Sequence, residues 1–264
     1  MKTIQELNEF TWDMVRTLPM VYYLHKNNID YKVTCKKNLS NIYNKFNGQV
    51  FETDSFNGIN PQDTYTHESP LFTRTNWCPP PLKEIYSNIL KFEKPVIVIQ
   101  NKYSIEWSQG VFNYLPIDFL DKIITEYKEK YTIIYIRPAT IEKSYYYDDN
   151  TILEFEDYDF LKKNHPDVIT IKQLQDLNPQ MDYNSLQFSI HASSEKHISV
   201  SGGNACVAAY FGGDLIIFDS PEGLGANRGI WKTDSWLKLL GNSNIYGFNN
   251  YDDIISFCKK NWNS

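Results

Sequence analysis

The sequence predicts an α/β fold made of two Rossmann-like domains facing a cleft, the N-terminal one small. Three observations predict it. Short β-branched runs alternate with segments of helical period along most of the chain, the order that produces a mostly parallel sheet. The alternation occurs on both sides of a boundary near Lys94, which divides the chain into residues 1–93 and 94–264. Finally, the stretch from His197 to Ser220, HISVSGGNACVAAYFGGDLIIFDS, reads as strand, glycine turn, small-residue helix and strand, a β-α-β crossover.

Taken in order, Thr3 to Leu7 predicts a first short strand, followed by a polar loop from Asn8 to Thr11. From Met14 the apolar residues Val15, Leu18, Val21, Tyr22 and Leu24 recur mostly at helical spacing until Asn27-Asn28, and Pro19 inside that helix predicts a kink. Tyr31 to Thr34 reads as a strand, Leu39 to Phe46 as a helix and Gln49 to Glu52 as another strand. Thr53 to Pro81 is rich in Asn, Pro, Thr and Asp and carries no periodicity; a loop of such length is usually functional or a linker.

In the second half, Leu82 to Phe92 predicts a helix, and Pro95 opens the clearest strand, Val96 to Gln100. A loop containing Asn101, Lys102, Glu106 and Trp107 leads to a helix from Ile117 to Lys130 and a strand from Tyr131 to Ile136 that stops at Arg137-Pro138. After a tyrosine-rich loop, Tyr145 to Asn150, come a helix near Tyr158 to Asn164, a strand from Val168 to Ile171, a helical turn to Leu177 and a helix from Ser185 to Ser194. The central unit supplies a strand to Ser201, a helix from Asn204 to Phe211 and a strand from Leu215 to Phe218. The loop Pro221 to Gly229, an amphipathic piece from Trp236 to Leu240, a strand from Ile245 to Gly247 and a helix from Tyr251 to Trp262 complete the chain.

Composition narrows the function classes. Acidic residues number 32 against 26 basic ones, and no Lys/Arg-rich run occurs, which argues against a sequence-independent nucleic-acid binder. Cys35, Cys78, Cys206 and Cys258 lack close spacing and histidine partners at zinc-ligand intervals, so free thiols, no metal and a cytoplasmic location are expected. The polar N-terminus, with Glu6 and Glu9, lacks the pattern of a signal peptide, and no run has the length of a membrane span.

The glycine turn carries the first chemical signal. Gly202 and Gly203 let the backbone approach a ligand without an intervening Cβ, and Asn204 can cap the following helix, leaving N–H groups aimed at an anion such as a diphosphate. A tight turn with a cap is the commoner meaning of such a motif. Lys102 and Arg137 both follow strand ends on the same rim and can converge on negative charge there, and Ser201 can donate to a phosphate oxygen.

These residues resemble a GT-B-fold glycosyltransferase. Trp12-Asp13-Met14-Val15-Arg16-Thr17-Leu18-Pro19 is similar to the Gly-Asp-x-x-x-x-Leu-Pro signature of the ADP-heptose:lipopolysaccharide heptosyltransferases. Ser201-Gly202-Gly203-Asn204, with Ala205, Ala208 and Ala209 behind it, is similar to that family's Asp-Ser-Gly-Pro motif and small-residue helix. Lys102 and Trp107 match a lysine and tryptophan after the first strand of the donor domain. The chain departs from the family at Trp12, Val200 and Gly203, where the motifs have glycine, aspartate and proline.

The resemblance implies an inverting, metal-independent sugar transfer from a nucleotide-sugar donor to a glycan acceptor, without a cofactor. It places the general base on Asp13 and a phosphate contact on Lys102; Glu9 and Glu6 are the reserve candidates for the base. The residues themselves also permit a capping role for Asp13. Asn101 and Glu106 are candidates for the donor sugar or nucleotide, and Glu222 and Arg228, in the loop after the last core strand, for a donor lid. An epimerase or hydrolase of sugar nucleotides on the same fold, and a non-catalytic nucleotide- or glycan-binding module, are the competing classes. Asp157-Tyr158-Asp159 spells Asp-x-Asp but falls at a polar helix start, where it reads as solvated. His191 and His197 lack an accompanying nucleophile and read as structural, as do Trp77 and Trp107.

Overall fold

The computed structural model describes residues 1–5, 10–53, 64–65, 76–105, 110–138, 151–222 and 237–262. Twelve strands are present among them: β1 (Lys2–Gln5), β2 (Tyr31–Lys36), β3 (Gln49–Thr53), β4 (Thr64–Tyr65), β5 (Val96–Gln100), β6 (Ser104–Ile105), β7 (Thr132–Ile136), β8 (Thr151–Ile152), β9 (Ile169–Thr170), β10 (Ser194–Val200), β11 (Asp214–Phe218) and β12 (Asn244–Phe248). The helices are α1 (Phe10–Trp12), α2 (Leu18–Lys26), α3 (Ser40–Tyr43), α4 (Leu82–Tyr86), α5 (Ile117–Tyr127), α6 (Asp157–Asn164), α7 (Ile171–Leu177), α8 (Tyr183–Ala192), α9 (Gly203–Ala209), α10 (Lys238–Gly241) and α11 (Tyr251–Trp262).

The strands form a four-stranded sheet ordered β3-β2-β1-β4 and a six-stranded sheet ordered β12-β11-β10-β5-β7-β9, both wholly parallel. Within the larger sheet the first strand in the chain, β5, lies beside the fourth, β10, so the strand order reverses between them, as in a doubly wound fold. The sequence of β5, Val-Ile-Val-Ile-Gln, is buried at every position because helices cover both faces, which is why it shows no polar alternation. Strands β6 and β8 form a separate antiparallel pair.

The helix expected from Leu82 to Phe92 stops at Tyr86, and Asn88 adopts a left-handed φ of 62°, a conformation that ends a helix. Around Pro19 the helical run is irregular: the chain stays helical from Phe10 to Lys26, Pro19 stands in the first turn of α2, and the residues before it, Asp13–Thr17, form a π-helical turn. Pro19 has no N–H to return to Val15, four residues back, or to Met14, five back. Both carbonyls are satisfied from a distance: the Trp77 indole N–H donates to Val15 O at 2.8 Å, and the Tyr210 hydroxyl donates to Met14 O at 2.6 Å.

Residues from both sheets share one apolar cluster, in which Val33, Leu18 and Tyr43 meet Phe188, Val207, Phe211 and Leu215. The same region holds two fully buried histidines. His191 of α8 and His197 of β10 have ring centroids 5.2 Å apart, and His191 stacks on Phe211. Both ring nitrogens of His191 and Nδ1 of His197 have no hydrogen-bond partner among the described residues. Burial pushes His197 down to about 4, and burial together with the neighbouring His197 pushes His191 well below the usual histidine range. Below pH ~6.5 the unfolded chain therefore binds protons that the native state refuses. The stabilisation is complete above that pH and is lost as pH falls towards 4, by about 3 kcal/mol for His197 alone. Urea midpoints between pH 7.5 and 4.5 should fall steeply in the wild type and less in His197→Gln; equal slopes would remove the pair as the cause.

Candidate ligand-binding site at the strand-order switch

The crevice beyond the carboxyl ends of β5 and β10 is where open α/β sheets bind ligands. Here β5 delivers Asn101 and Lys102, and β10 delivers Ser201, Gly202 and Gly203. The Ser201 amide donates to Phe218 O of β11 at 2.9 Å, which fixes where the turn leaves the sheet. Gly202 has a φ of 121°, and a Cβ there would lie 3.1 Å from Lys102 Nζ. Its lack of a side chain is thus what lets the lysine ammonium stand against the turn. At Gly203 a Cβ would lie 3.0 Å from Thr11 Oγ1, so the second glycine admits the N-terminal segment that leads into Asp13.

Asn204 does not cap α9 as expected. Gly202 occupies the cap position, and Asn204, inside the first turn and buried, donates from Nδ2 to the Asn101 carbonyl at 3.3 Å, joining the turn to the end of β5. Asn101 is fully buried and every polar atom of its side chain is used. Oδ1 accepts from the amides of Lys102 (2.9 Å) and Leu115 (2.8 Å), while Nδ2 donates to Leu115 O (3.0 Å) and the Tyr135 hydroxyl (2.9 Å). It shapes the loop and has no hydrogen-bonding capacity left for a donor sugar.

Arg137 also differs from expectation. It is 3% exposed and paired with Asp157, which is 0% exposed, through Nε to Oδ2 at 2.6 Å and Nη2 to Oδ1 at 2.8 Å. Nη1 donates to Pro138 O at 3.3 Å, so each guanidinium nitrogen has an acceptor inside the protein. Burial opposes the arginine's charge, but the hydrogen bonds and field of Asp157 outweigh it and raise the group's proton affinity. The cation is neutralised where it stands and contributes no phosphate contact. Asp157 is correspondingly buried, not solvated, whereas Asp159 is exposed.

Asp13 opens the π-helical turn, is 1% exposed, and accepts a hydrogen bond through Oδ1 from the hydroxyl of Tyr43 on α3. Its segment packs on α9 through Thr11 against Gly203 and through the Tyr210 bond to Met14. Glu222 is exposed, and its amide donates to Ser220 Oγ at 3.2 Å. Glu9, Glu106, Trp107 and Arg228 lie outside the described residues. Sequence reasoning missed Tyr43, Tyr135 and Tyr210, whose partners are 30, 22 and 196 residues away, and nothing local in the sequence marks them. Among the described residues no group of three or more His, Cys, Asp or Glu is placed to hold a metal, and no helix is long and apolar enough to cross a membrane.

No family model matches the chain, and no curated protein sequence matches it. Solved structures do. A glycosyl transferase family 9 protein from Veillonella parvula DSM 2008 superposes with a TM-score of 0.57 at 7% identity, covering 98% of this chain and 88% of that one. The ADP-heptose lps heptosyltransferase II of E. coli superposes with a TM-score of 0.57 at 11% identity, covering 100% of this chain and 98% of that one. The chain has a heptosyltransferase-like glycosyltransferase fold.

Proposed function

We propose that this protein is a glycosyltransferase that moves a sugar from a nucleotide-sugar donor to a glycan acceptor hydroxyl, with inversion and without a metal. The observation that carries the proposal is the switch point itself: Lys102 Nζ stands against Gly202, and the segment bearing Asp13 packs against Gly203 of the same turn. Charge for a departing diphosphate and a carboxylate for an incoming alcohol are then supplied from the two sides of one turn.

In this reading the donor half begins near Lys94, and the cleft faces the small N-terminal half. Lys102 and the amides of Gly202, Gly203 and Asn204 bind the diphosphate, with Ser201 beside them. Preorganised donors of this kind stabilise charge as it develops on a leaving group. Arg137 takes no part, because Asp157 holds it. Asp13 accepts the proton of the acceptor hydroxyl; its carboxylate already accepts a hydrogen bond from the Tyr43 hydroxyl, the same chemistry an acceptor alcohol presents. The reading sets the enzyme in the cytoplasm, a reducing compartment in which Cys35, Cys78, Cys206 and Cys258 would stay as thiols.

The burial of Asp13 favours a second reading, a nucleotide- or glycan-binding module without catalysis, in which the Asp13–Tyr43 bond is structural. A panel of nucleotide sugars, with and without EDTA, separates the two by thermal shift and by release of free nucleotide. The transferase shifts in melting temperature and, once acceptor is added, releases nucleotide in EDTA; the module only shifts. If no nucleotide or nucleotide sugar raises the melting temperature, the donor site is wrong. Replacing Lys102 by Ala should weaken donor binding roughly 10- to 100-fold, the loss of one charge-assisted phosphate contact, measured by titration calorimetry. An unaltered affinity would take the lysine out of the site.

A further inference from the structure

Arg137 and Asp157 form a fully buried ion pair at the end of β7, an arrangement whose desolvation makes it a poor source of stability. From this pair a hydrogen-bonded path leads to the switch point. Asp157 Oδ2 accepts from the Tyr135 hydroxyl, that hydroxyl accepts from Asn101 Nδ2 at 2.9 Å, and Asn101 Oδ1 accepts from the Lys102 amide at 2.9 Å and the Leu115 amide at 2.8 Å. The Asn101 carbonyl receives Asn204 of the glycine turn at 3.3 Å.

The path has only one direction. An ionised carboxylate accepts and never donates, so Tyr135 must donate to Asp157, and its remaining lone pair must accept. The Asn101 NH2 meets that oxygen, in the same orientation that the backbone requires at the other end, where Leu115 O accepts from Nδ2 and the amides of Lys102 and Leu115 donate to Oδ1. A neutral group in place of Asp157 would free the Tyr135 hydroxyl to turn away and leave the Asn101 amide held by backbone groups alone. Burial, reinforced by the charge of Asp157, raises Tyr135 well above the ordinary tyrosine range, so the proton that sets the direction stays in place.

We propose that Asn101 and Tyr135 are positioning residues, which tie the Lys102 loop and the glycine turn to the buried Arg137–Asp157 pair and so hold both in their ligand-binding geometry. The proposal rests on the donor-site reading for its ligand, a nucleoside diphosphate, but not for its structural half. Neither residue touches the ligand; each acts through Lys102 and Asn204.

The test uses the full chain carrying Tyr135→Phe, and separately the double replacement Arg137→Met with Asp157→Leu. The second keeps the volume apolar, a change that commonly preserves or raises stability when it removes a whole buried pair. Amide hydrogen exchange is read without ligand at Lys102, Leu115 and residues 201–205, and affinity is read by calorimetry with ADP and with UDP. Both variants should exchange at least about tenfold faster at those amides and bind the preferred nucleotide about tenfold more weakly, the scale of one lost hydrogen bond amplified through the loop. The double variant should stay folded with a melting temperature near wild type, the relief of the pair's desolvation offsetting the acceptor that the Tyr135 hydroxyl and the Tyr158 amide lose. Tyr158→Phe, which removes a hydroxyl bonded to the Arg137 carbonyl but off the path, should leave switch-point exchange unchanged.

Unchanged exchange at Lys102 and Leu115 in either folded variant overturns the proposal, as does an equal increase in Tyr158→Phe. If Tyr135→Phe does not fold, the double variant decides alone. A wild-type protein that binds neither nucleotide defeats the donor-site reading, and the exchange data still decide whether the path braces the loop and the turn.

Discussion

Asp13→Asn should lower sugar transfer roughly 10²- to 10⁴-fold, the range over which a positioned general base contributes, while nucleotide affinity stays within about twofold of wild type. The substitution is nearly isosteric. Its Oδ1 can still accept from the Tyr43 hydroxyl, so the π-helical turn and the contact of Thr11 with Gly203 are preserved. What is lost is the ability to take a proton from an alcohol. Turnover and nucleotide affinity measured on the same preparations separate base from scaffold. Unchanged turnover would remove Asp13 from the mechanism, and a parallel loss of affinity and melting temperature would make it structural.

Arg137→Ala should destabilise the fold by about 3–5 kcal/mol, because it leaves Asp157 charged, buried and without its main partner. Tyr135 and the Tyr158 amide would still donate to the carboxylate, but neither carries charge to balance it. Equilibrium urea unfolding gives the number directly. A loss below about 1 kcal/mol would mean that water reaches Asp157 or that it becomes protonated, and the buried pair would then not be the strong constraint described above.

How far the sequence could be read depended on how local the cause was. Val96–Gln100, Ile171–Leu177 and Tyr251–Trp262 form as expected, because their apolar periodicity and the residues that bound them lie within the element. The glycine turn was legible for the same reason: the backbone at Gly202 takes a φ of 121°, which glycine adopts freely, and the residue that does so is written in the turn itself. Arg137 was misread because its charge is decided by Asp157, 20 residues on, which itself read as a solvated helix start. Asn204 looked like a cap, since asparagine before a helix usually is one, but its amide is drawn to Asn101, 103 residues earlier. The helix after Leu82 was drawn too long because apolar residues continue past Asn88, where the backbone turns left-handed.

The π-helical turn at Asp13–Thr17 bears on how this protein could be recombined. Two of its carbonyls are closed by Trp77 and by Tyr210, residues 62 and 196 positions further along the chain, so the first segment does not complete its own backbone. A chimera that grafted residues 1–93 onto a foreign second half would strand the Met14 carbonyl in an apolar core unless the graft supplied a hydroxyl where Tyr210 stands. The two sheets are separate in strand order, yet the backbone of one is completed by a side chain from the other's surroundings.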